Sequence, residues 1–163
     1  MNRWIALVAL SLALPASALA QKKTTLTPAD YEEIRGIYAK YSYGFDTGDA
    51  KLVASVYTPD AQFIVGGKVA GGTREAITGM VRPLAPGKGQ MKHMPTNVFI
   101  EGSEDGAKGM AYVALVTFEE GKAPAVTGGG WYHDTIVKTA DGWRFKKRDY
   151  QPFPLPIAAT PAP

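Results

Sequence analysis

The side chains in this sequence that could do chemistry are acids, phenols and two histidines. The histidines are His93 and His133, and there is no cysteine, which excludes disulfides, thiolate catalysis and thiolate-bound zinc. Asp46 and Tyr41 stand five residues apart in an early segment rich in aromatic residues. Carboxylate, phenol and imidazole groups are the usual participants in general acid–base catalysis. Each histidine taken alone also fits a structural, hydrogen-bonded role.

Asp46 is the most informative of the acids. It lies in what we predict to be the last turn of a helix, between Phe45 and Gly48. The carboxyl end of a helix and apolar neighbours both disfavour a charged carboxylate, which suits a group that exchanges a proton. Alternatively, Asp46 only caps the turn into the next helix. A zinc or iron site of both histidines and one carboxylate is also open, although no HxH or HExxH spacing occurs.

The elements that must position these residues begin with a pair of helices. Thr27-Pro28-Ala29-Asp30 predicts a helix start, and Gly48 predicts its end. Between them an apolar stripe recurs at helical spacing, formed by Ile34, Ile37, Tyr38, Tyr41 and Phe45. Asp49 opens a second helix that ends before Pro59 and includes Val56 and Tyr57. A strand over 61–65 and a third helix over 73–81 follow.

The second half of the chain predicts four strands, over 92–101, 108–119, 130–139 and 143–150. Short turns join them, so consecutive strands are antiparallel neighbours. Helices followed by a strand meander predict an α+β fold whose curved antiparallel sheet wraps the long first helix. Alternation places Tyr132 and Asp134 on one face and His133 on the other.

The charge pattern is weak, with a net charge of +3 at pH 7. The densest basic run is Arg144, Lys146, Lys147 and Arg148, which alternates with Phe145. We interpret it as the solvent-exposed face of a strand and expect no nucleic-acid partner.

The first twenty residues resemble a signal peptide. A basic start, an apolar run over 4–14 and Ala18-Leu19-Ala20 predict cleavage before Gln21 and a periplasmic or secreted protein. The run is too short to span a bilayer, although a retained anchor is the alternative, so we expect no membrane association after cleavage. The chain then divides into a domain over 21–151 and an exposed proline-rich tail over 152–163.

Six segments carry a recognisable pattern in a fixed order: residues 34–49 (IRGIYAKYSYGFDTGD), 57–61 (YTPDA), 72–77 (GTREAI), 93–101 (HMPTNVFIE), 130–134 (GWYHD) and 141–148 (DGWRFKKR). Together they resemble the SnoaL-like family of the nuclear-transport-factor-2-like superfamily, in the branch that contains bile acid 7α-dehydratase and scytalone dehydratase. The resemblance implies an α+β barrel, a cone of curved sheet and three helices with a ligand pocket at its open end.

The resemblance also implies a catalytic set. Tyr41, Asp46 and His93 match the family's Tyr, Asp and His, while the family's further acid falls near Leu115 or Val116 and is missing here. We expect Asp46 and His93 to form an acid–base pair and Tyr41 to donate a hydrogen bond to a substrate oxygen. Further pocket residues are expected among Tyr38, Asn97, Tyr112, Tyr132, His133 and Asp134.

The expected function is a cofactor-independent lyase or isomerase of the dehydratase type, acting on a small apolar, aromatic or polycyclic molecule. Neither a P-loop nor a GxGxxG fingerprint is present, and no metal or other cofactor is predicted. The alternative is an exported, non-catalytic ligand-binding or accessory domain. A homodimer is expected in either case, because the strand over 110–118 has apolar residues on both faces.

Overall fold

The computed structural model describes residues 23–82 and 90–154 of the chain. Within them, three helices pack on one six-stranded sheet, which confirms the predicted α+β cone. The helices are α1 (Pro28–Thr47), α2 (Ala50–Ala54) and α3 (Arg74–Thr78). The strands are β1 (Tyr57–Val65), β2 (Lys68–Gly71), β3 (Gln90–Ser103), β4 (Gly106–Phe118), β5 (Ala125–Thr139) and β6 (Gly142–Pro152).

Two predicted segments lie wholly or mostly outside these ranges. The signal peptide over 1–20 is one, and the other is the tail, of which only 152–154 are described. Among the described helices, none combines the length and the apolar character that crossing a membrane requires.

Helix α1 begins and ends where its sequence predicts. Thr27 and Asp30 form a capping box, with Thr27 N donating to Asp30 Oδ2 at 2.9 Å and Asp30 N donating to Thr27 Oγ1 at 3.2 Å. Gly48 ends the helix in the left-handed conformation, with φ 74°. The predicted apolar stripe is buried at Ile34 and Ile37, and it continues through the buried side chains of Tyr38 and Tyr41.

The sheet order is β2-β1-β6-β5-β4-β3. Strands β3 to β6 form the predicted antiparallel meander, but β1 pairs in parallel with β6, which the prediction of an antiparallel sheet did not include. The start of β1 was also wrongly predicted, because Val56 and Tyr57 were assigned to the second helix. Phe145 N donates to Val56 O at 2.8 Å, so pairing with β6 decides the conformation of these two residues.

Two smaller elements also differ from the prediction. Helix α3 is shorter than the predicted 73–81, with Thr73 as its N-cap and Gly79 after its last turn. Strand β2 was not predicted, and it forms a hairpin with β1 through Gly66 and Gly67, both of which have positive φ.

Alternation along the strands divides the sheet into an inner and an outer face. The inner face packs on α1 and contributes Ala111, Val113, Tyr132 and Ile136 to the buried core. The outer face carries exposed aromatic and apolar side chains from three neighbouring strands: Phe99, Met110, Tyr112 and Trp131. The site residues must therefore be assigned to one face or the other.

Candidate functional site

Asp46 and His93 form a hydrogen-bonded pair where α1 ends and β3 begins. Asp46 Oδ1 lies 2.6 Å from His93 Nδ1, and the backbone N–H of His93 donates to both carboxylate oxygens at 3.0 Å. Only 10% of the Asp46 side chain and 12% of the His93 side chain are exposed. An ionised carboxylate only accepts hydrogen bonds, so Nδ1 is the donor in this contact, and in the neutral imidazole Nε2 is the acceptor.

Lys92 adds a further hydrogen bond between the end of α1 and the start of β3. Lys92 Nζ donates to the backbone carbonyl of Asp46 at 3.0 Å, which satisfies one of the free carbonyls at the end of α1. Asp46 does not cap α2, since that position belongs to Asp49, whose Oδ1 accepts from Leu52 N at 2.9 Å. The Asp46 carboxylate therefore accepts hydrogen bonds from His93 and does not cap a helix.

Tyr41 lies on the inner side of this pair. Its ring is buried and meets the His93 imidazole edge-on, with ring centroids 5.9 Å apart and an interplanar angle of 79°. Burial raises the pKa of the Tyr41 phenol, and the positive charge of Arg148 opposes that rise. A phenol that stays protonated can donate a hydrogen bond. The structure thus brings together Tyr41, Asp46 and His93.

Arg148 occupies the centre of the cone interior. Its side chain is fully buried and forms a two-point ion pair with Asp134, with Nε to Oδ1 and Nη2 to Oδ2 both at 2.9 Å. Four ring centroids surround the guanidinium carbon: Phe145 at 4.0 Å, Tyr132 at 4.1 Å, Tyr41 at 4.2 Å and Tyr38 at 4.9 Å. We call Arg148, Asp134 and these four rings the arginine cage.

The assignment of Arg148 to an exposed strand face was wrong. The pairing of β5 with β6 shifts register between Thr135 and Ile136, so Lys147 pairs with Thr135 and Phe145 with Ile136. This bulge brings both Phe145 and Arg148 inward although they are three residues apart. Simple alternation gives no signal for such a shift, and the basic neighbours of Arg148 favoured solvent.

The predicted pocket residues divide between the two faces of the sheet. Tyr38, Tyr132 and Asp134 lie inside the cone and belong to the arginine cage. Gly109 leaves room for the Tyr38 hydroxyl, since a Cβ at that position would lie 2.3 Å from Tyr38 Oη. Tyr57, which the sequence placed in a helix, also lies in this interior, 6.2 Å from the Tyr41 ring.

Asn97, Tyr112 and His133 lie on the outer face and do not join the interior residues. They border a shallow outer cavity of about 510 Å³ together with Trp131. Asn97 sits at a register shift in β3 and has a φ of 52°, a conformation that asparagine tolerates better than most residues. His133 is exposed on the outer face while His93 contacts Asp46 at the end of α1, so the two histidines do not converge on a metal site in the described part of the chain.

A cavity of about 370 Å³ opens beside the catalytic candidates. Asp46 and His93 form part of its wall, and the other lining residues are Ala39, Ser42, Tyr43, Lys92, Met94 and Pro95. The imidazole therefore contacts an open space on one side and the Tyr41 ring on the other.

Comparison with solved structures supports the fold. The chain is 22% identical, with a TM-score of 0.64, to "Putative Scytalone Dehydratase" from Novosphingobium aromaticivorans, and the match covers 77% of this chain and 85% of that chain. It is 24% identical to ActVI-ORFA from Streptomyces coelicolor, with a TM-score of 0.67, covering 75% of this chain and 96% of that one. An NTF2-like protein with a cystatin-like fold, also from Novosphingobium aromaticivorans, gives 23% identity, a TM-score of 0.68 and coverages of 80% and 86%.

No protein with a curated function matches the sequence significantly. The model of the SnoaL-like domain, however, matches residues 27–149, which include helix α1 and all of the sheet except the last three residues of β6. The chain therefore belongs to the SnoaL-like family.

Proposed function

We propose that this protein is a lyase or isomerase that needs no cofactor and acts on a small, mainly apolar substrate by acid–base chemistry. The observation that carries the proposal is the 2.6 Å contact between Asp46 Oδ1 and His93 Nδ1. A carboxylate that holds one ring nitrogen protonated leaves the other as a base, and it stabilises the imidazolium that forms when that base takes a proton.

We assign the roles as follows. His93 Nε2 removes a proton from a carbon next to a carbonyl group, while Asp46 keeps the imidazole oriented. We assign to Tyr41 the hydrogen bond to an oxygen that gains negative charge, which requires that oxygen to lie on the inner side of the imidazole, where the Tyr41 ring packs. In a dehydration, the electron pair of the broken C–H bond forms the C=C bond as the neighbouring C–O bond breaks. The hydroxyl then leaves as water with the proton that His93 returns.

An isomerisation uses the same first step. The imidazolium returns its proton to a different carbon of the substrate, so a double bond moves and no atom is lost. One of the similar structures is named as a dehydratase, which supports the first version without assigning its substrate to this chain.

Hydrogen–deuterium exchange tests the proton-transfer step without knowledge of the natural substrate. A panel of small aromatic ketones is incubated with the protein in D₂O, and loss of the α-proton signal is followed by NMR. We expect wild-type protein to accelerate exchange for at least one ketone and His93→Gln to lose about 10²-fold or more of that rate. Saturable ketone binding with no exchange in the wild type would instead support the non-catalytic binding domain.

We also propose that two copies associate through the outer face of the sheet. Phe99, Met110, Tyr112 and Trp131 are all 43% exposed or more and come from the adjacent strands β3, β4 and β5. A monomer rarely leaves several large apolar side chains side by side in solvent. Export with removal of residues 1–20 remains a proposal that rests on the sequence of that segment.

A further inference from the structure

The cavity beside Asp46 and His93 lies between α1 and the start of β3. Ala39, Ser42 and Asp46 stand three and four residues apart on α1, so they follow one face of the helix. The volume of about 370 Å³ falls within the range of about 300–1,000 Å³ that small-molecule sites have. A ligand that reaches the imidazole from this cavity therefore also meets the other groups of its wall.

Lys92 brings a positive charge to that wall. Its Nζ donates to the backbone carbonyl of Asp46 at 3.0 Å, and no acid among the described residues forms an ion pair with it. An ammonium group has three N–H donors, so two remain. The Asp46 carboxylate does not take them, because its oxygens accept from His93. Four other lysines of the described chain do pair with a carboxylate: Lys23, Lys122, Lys138 and Lys146.

Ser42 adds a second polar group without a partner to the same wall. The residue is only 7% exposed, and its buried Oγ makes no hydrogen bond within the described chain. Native proteins satisfy nearly all such groups with protein, water or ligand. A serine side chain can turn its hydroxyl toward a new acceptor by moving between staggered rotamers. Ser42 thus offers a neutral donor one helical turn before Asp46.

The remaining surface around this cavity is largely apolar. Tyr43 and Met94 both line it, and they are 67% and 43% exposed. An aromatic or aliphatic body can bury its surface against these two side chains. The wall therefore fits a ligand that has an apolar body and one group that accepts hydrogen bonds from a cation.

We propose that Lys92 and Ser42 bind a carboxylate of the substrate, while His93 acts on a carbon next to a ketone elsewhere in the same molecule. The inference rests on the proposed function and narrows its substrate class to keto acids with an apolar body. A carboxylate is the acceptor that an ammonium group binds most strongly, because the hydrogen bond is charge-assisted on both sides. Lys92 is then the residue that distinguishes an acid from its neutral analogues.

Two ligands with one skeleton test this selection in the wild-type protein. They are β-benzoylpropionate and β-benzoylpropionamide, which share the aromatic ketone and differ in the charge at the other end. We expect calorimetry to show the acid binding about tenfold or more tighter than the amide, the effect of one charge-assisted hydrogen bond. Added sodium chloride should reduce this advantage, since it screens a pair that is open to solvent. Equal affinities, or no saturable binding of the acid, would overturn the proposal.

Substitution of Lys92 tests whether it provides the charge. Lys92→Gln keeps an N–H group that can donate to the Asp46 carbonyl, and we expect the acid to lose its advantage over the amide. Lys92→Arg retains the charge and should restore most of that advantage. The matched control is Lys68→Gln, which removes the same charge from an exposed position on β2, at the opposite edge of the sheet. An advantage that survives in Lys92→Gln, or that disappears in Lys68→Gln, would contradict the assignment.

Ser42→Ala provides a second variant that leaves the end of α1 unchanged. Alanine has a higher helix propensity than serine, so the helix should remain folded. We expect the acid to bind about threefold or more weaker, the effect of one neutral hydrogen bond. An unchanged affinity would contradict the place of Ser42 in the carboxylate subsite.

The two proposals fail in different measurements. His93→Gln should stop deuterium exchange at the carbon next to the ketone of β-benzoylpropionate, yet keep the advantage of the acid, because that advantage depends on Lys92. Exchange in the wild type with equal affinities for acid and amide would overturn the carboxylate subsite and leave the acid–base pair. Preference for the acid without exchange in the wild type would count against the acid–base pair and leave the subsite.

Discussion

At the scale of single residues, one hydrogen bond determines which nitrogen of His93 would act as the base in the proposed reaction. Asp46 accepts from Nδ1 and also from the backbone N–H of His93, so the ring is fixed both in orientation and in tautomer. In the proposed chemistry Asp46 therefore has two properties that matter, its ability to accept the Nδ1 hydrogen bond and its negative charge. Replacing that acceptor by an amide separates the two properties.

Asp46→Asn should lower turnover or ketone exchange by about 10²-fold or more. The amide can donate to Nδ1, which moves the ring proton to Nε2 and removes the base. Unfolding in urea should show a loss of about 1 kcal/mol or less, because one oxygen still accepts from the backbone. Asp49→Asn is the matched control, since asparagine caps α2 equally well and lies outside the pair. A fully active Asp46→Asn protein would remove the main argument for catalysis.

Some residues of the candidate site could be predicted from the sequence, and others could not. Tyr41 and Asp46 follow directly from the helical stripe and its end, and the family pattern adds His93. Arg148 does not follow, because its inward position depends on a register shift between β5 and β6 that leaves no local signal. The same alternation rule that correctly paired Tyr132 with Asp134 misassigns Arg148 three residues after Phe145.

At the scale of elements, the parts of the structure that local sequence signals define were predicted well. The parts that depend on pairing between distant segments were not. Helix α1 has its capping box, its stripe and its glycine stop within 22 residues, Thr27 to Gly48, so nothing distant is needed to define it. Strand β1 begins four residues earlier than predicted, at Tyr57 and not Ala61, because its partner β6 lies at the other end of the chain. Propensity cannot anticipate a partner that far away.

Two glycines in α1 should respond in opposite ways to alanine. A Cβ at Gly44 would lie 2.6 Å from Val53 Cγ2 and 3.0 Å from the Val53 backbone nitrogen, so Gly44→Ala should push α2 away and cost about 1–3 kcal/mol. Gly36 has nothing within 4 Å of such a Cβ, and Gly36→Ala should stabilise the helix by about 0.5–1 kcal/mol. Thermal and urea unfolding of both variants measure these changes in the free energy of unfolding. Equal shifts for both would contradict the close packing of α1 on α2.

At the scale of the whole molecule, the outer face of the sheet predicts self-association. Light scattering at micromolar concentration should give the mass of a dimer. Tyr112→Glu places a charge in the middle of the apolar face and should give a monomer. Val69→Glu changes an apolar residue that is even more exposed than Tyr112, on β2 at the opposite edge of the sheet, and should leave the dimer intact. A wild-type monomer under these conditions would contradict the proposed interface.

The export proposal has a direct measurement. Intact-mass analysis of protein recovered from the periplasm or medium should give a chain that begins at Gln21, because Ala18-Leu19-Ala20 presents small side chains to signal peptidase. Exported material that retains Met1 would contradict cleavage at that position.

The parallel pairing of β1 with β6 has a consequence for how the chain reaches its fold. Tyr57 pairs with Phe145, and Gly66 N donates to Tyr150 O at 2.9 Å, so the first strand has no place in the sheet until the last one is available. The chain loses conformational entropy when it closes this long loop, before the contacts between β1 and β6 form. Such non-local pairing slows folding. During synthesis the helix pair therefore emerges long before the strand that completes its cover. Folding of the intact domain should be a late event, set by the arrival of the last strand at the ribosome exit.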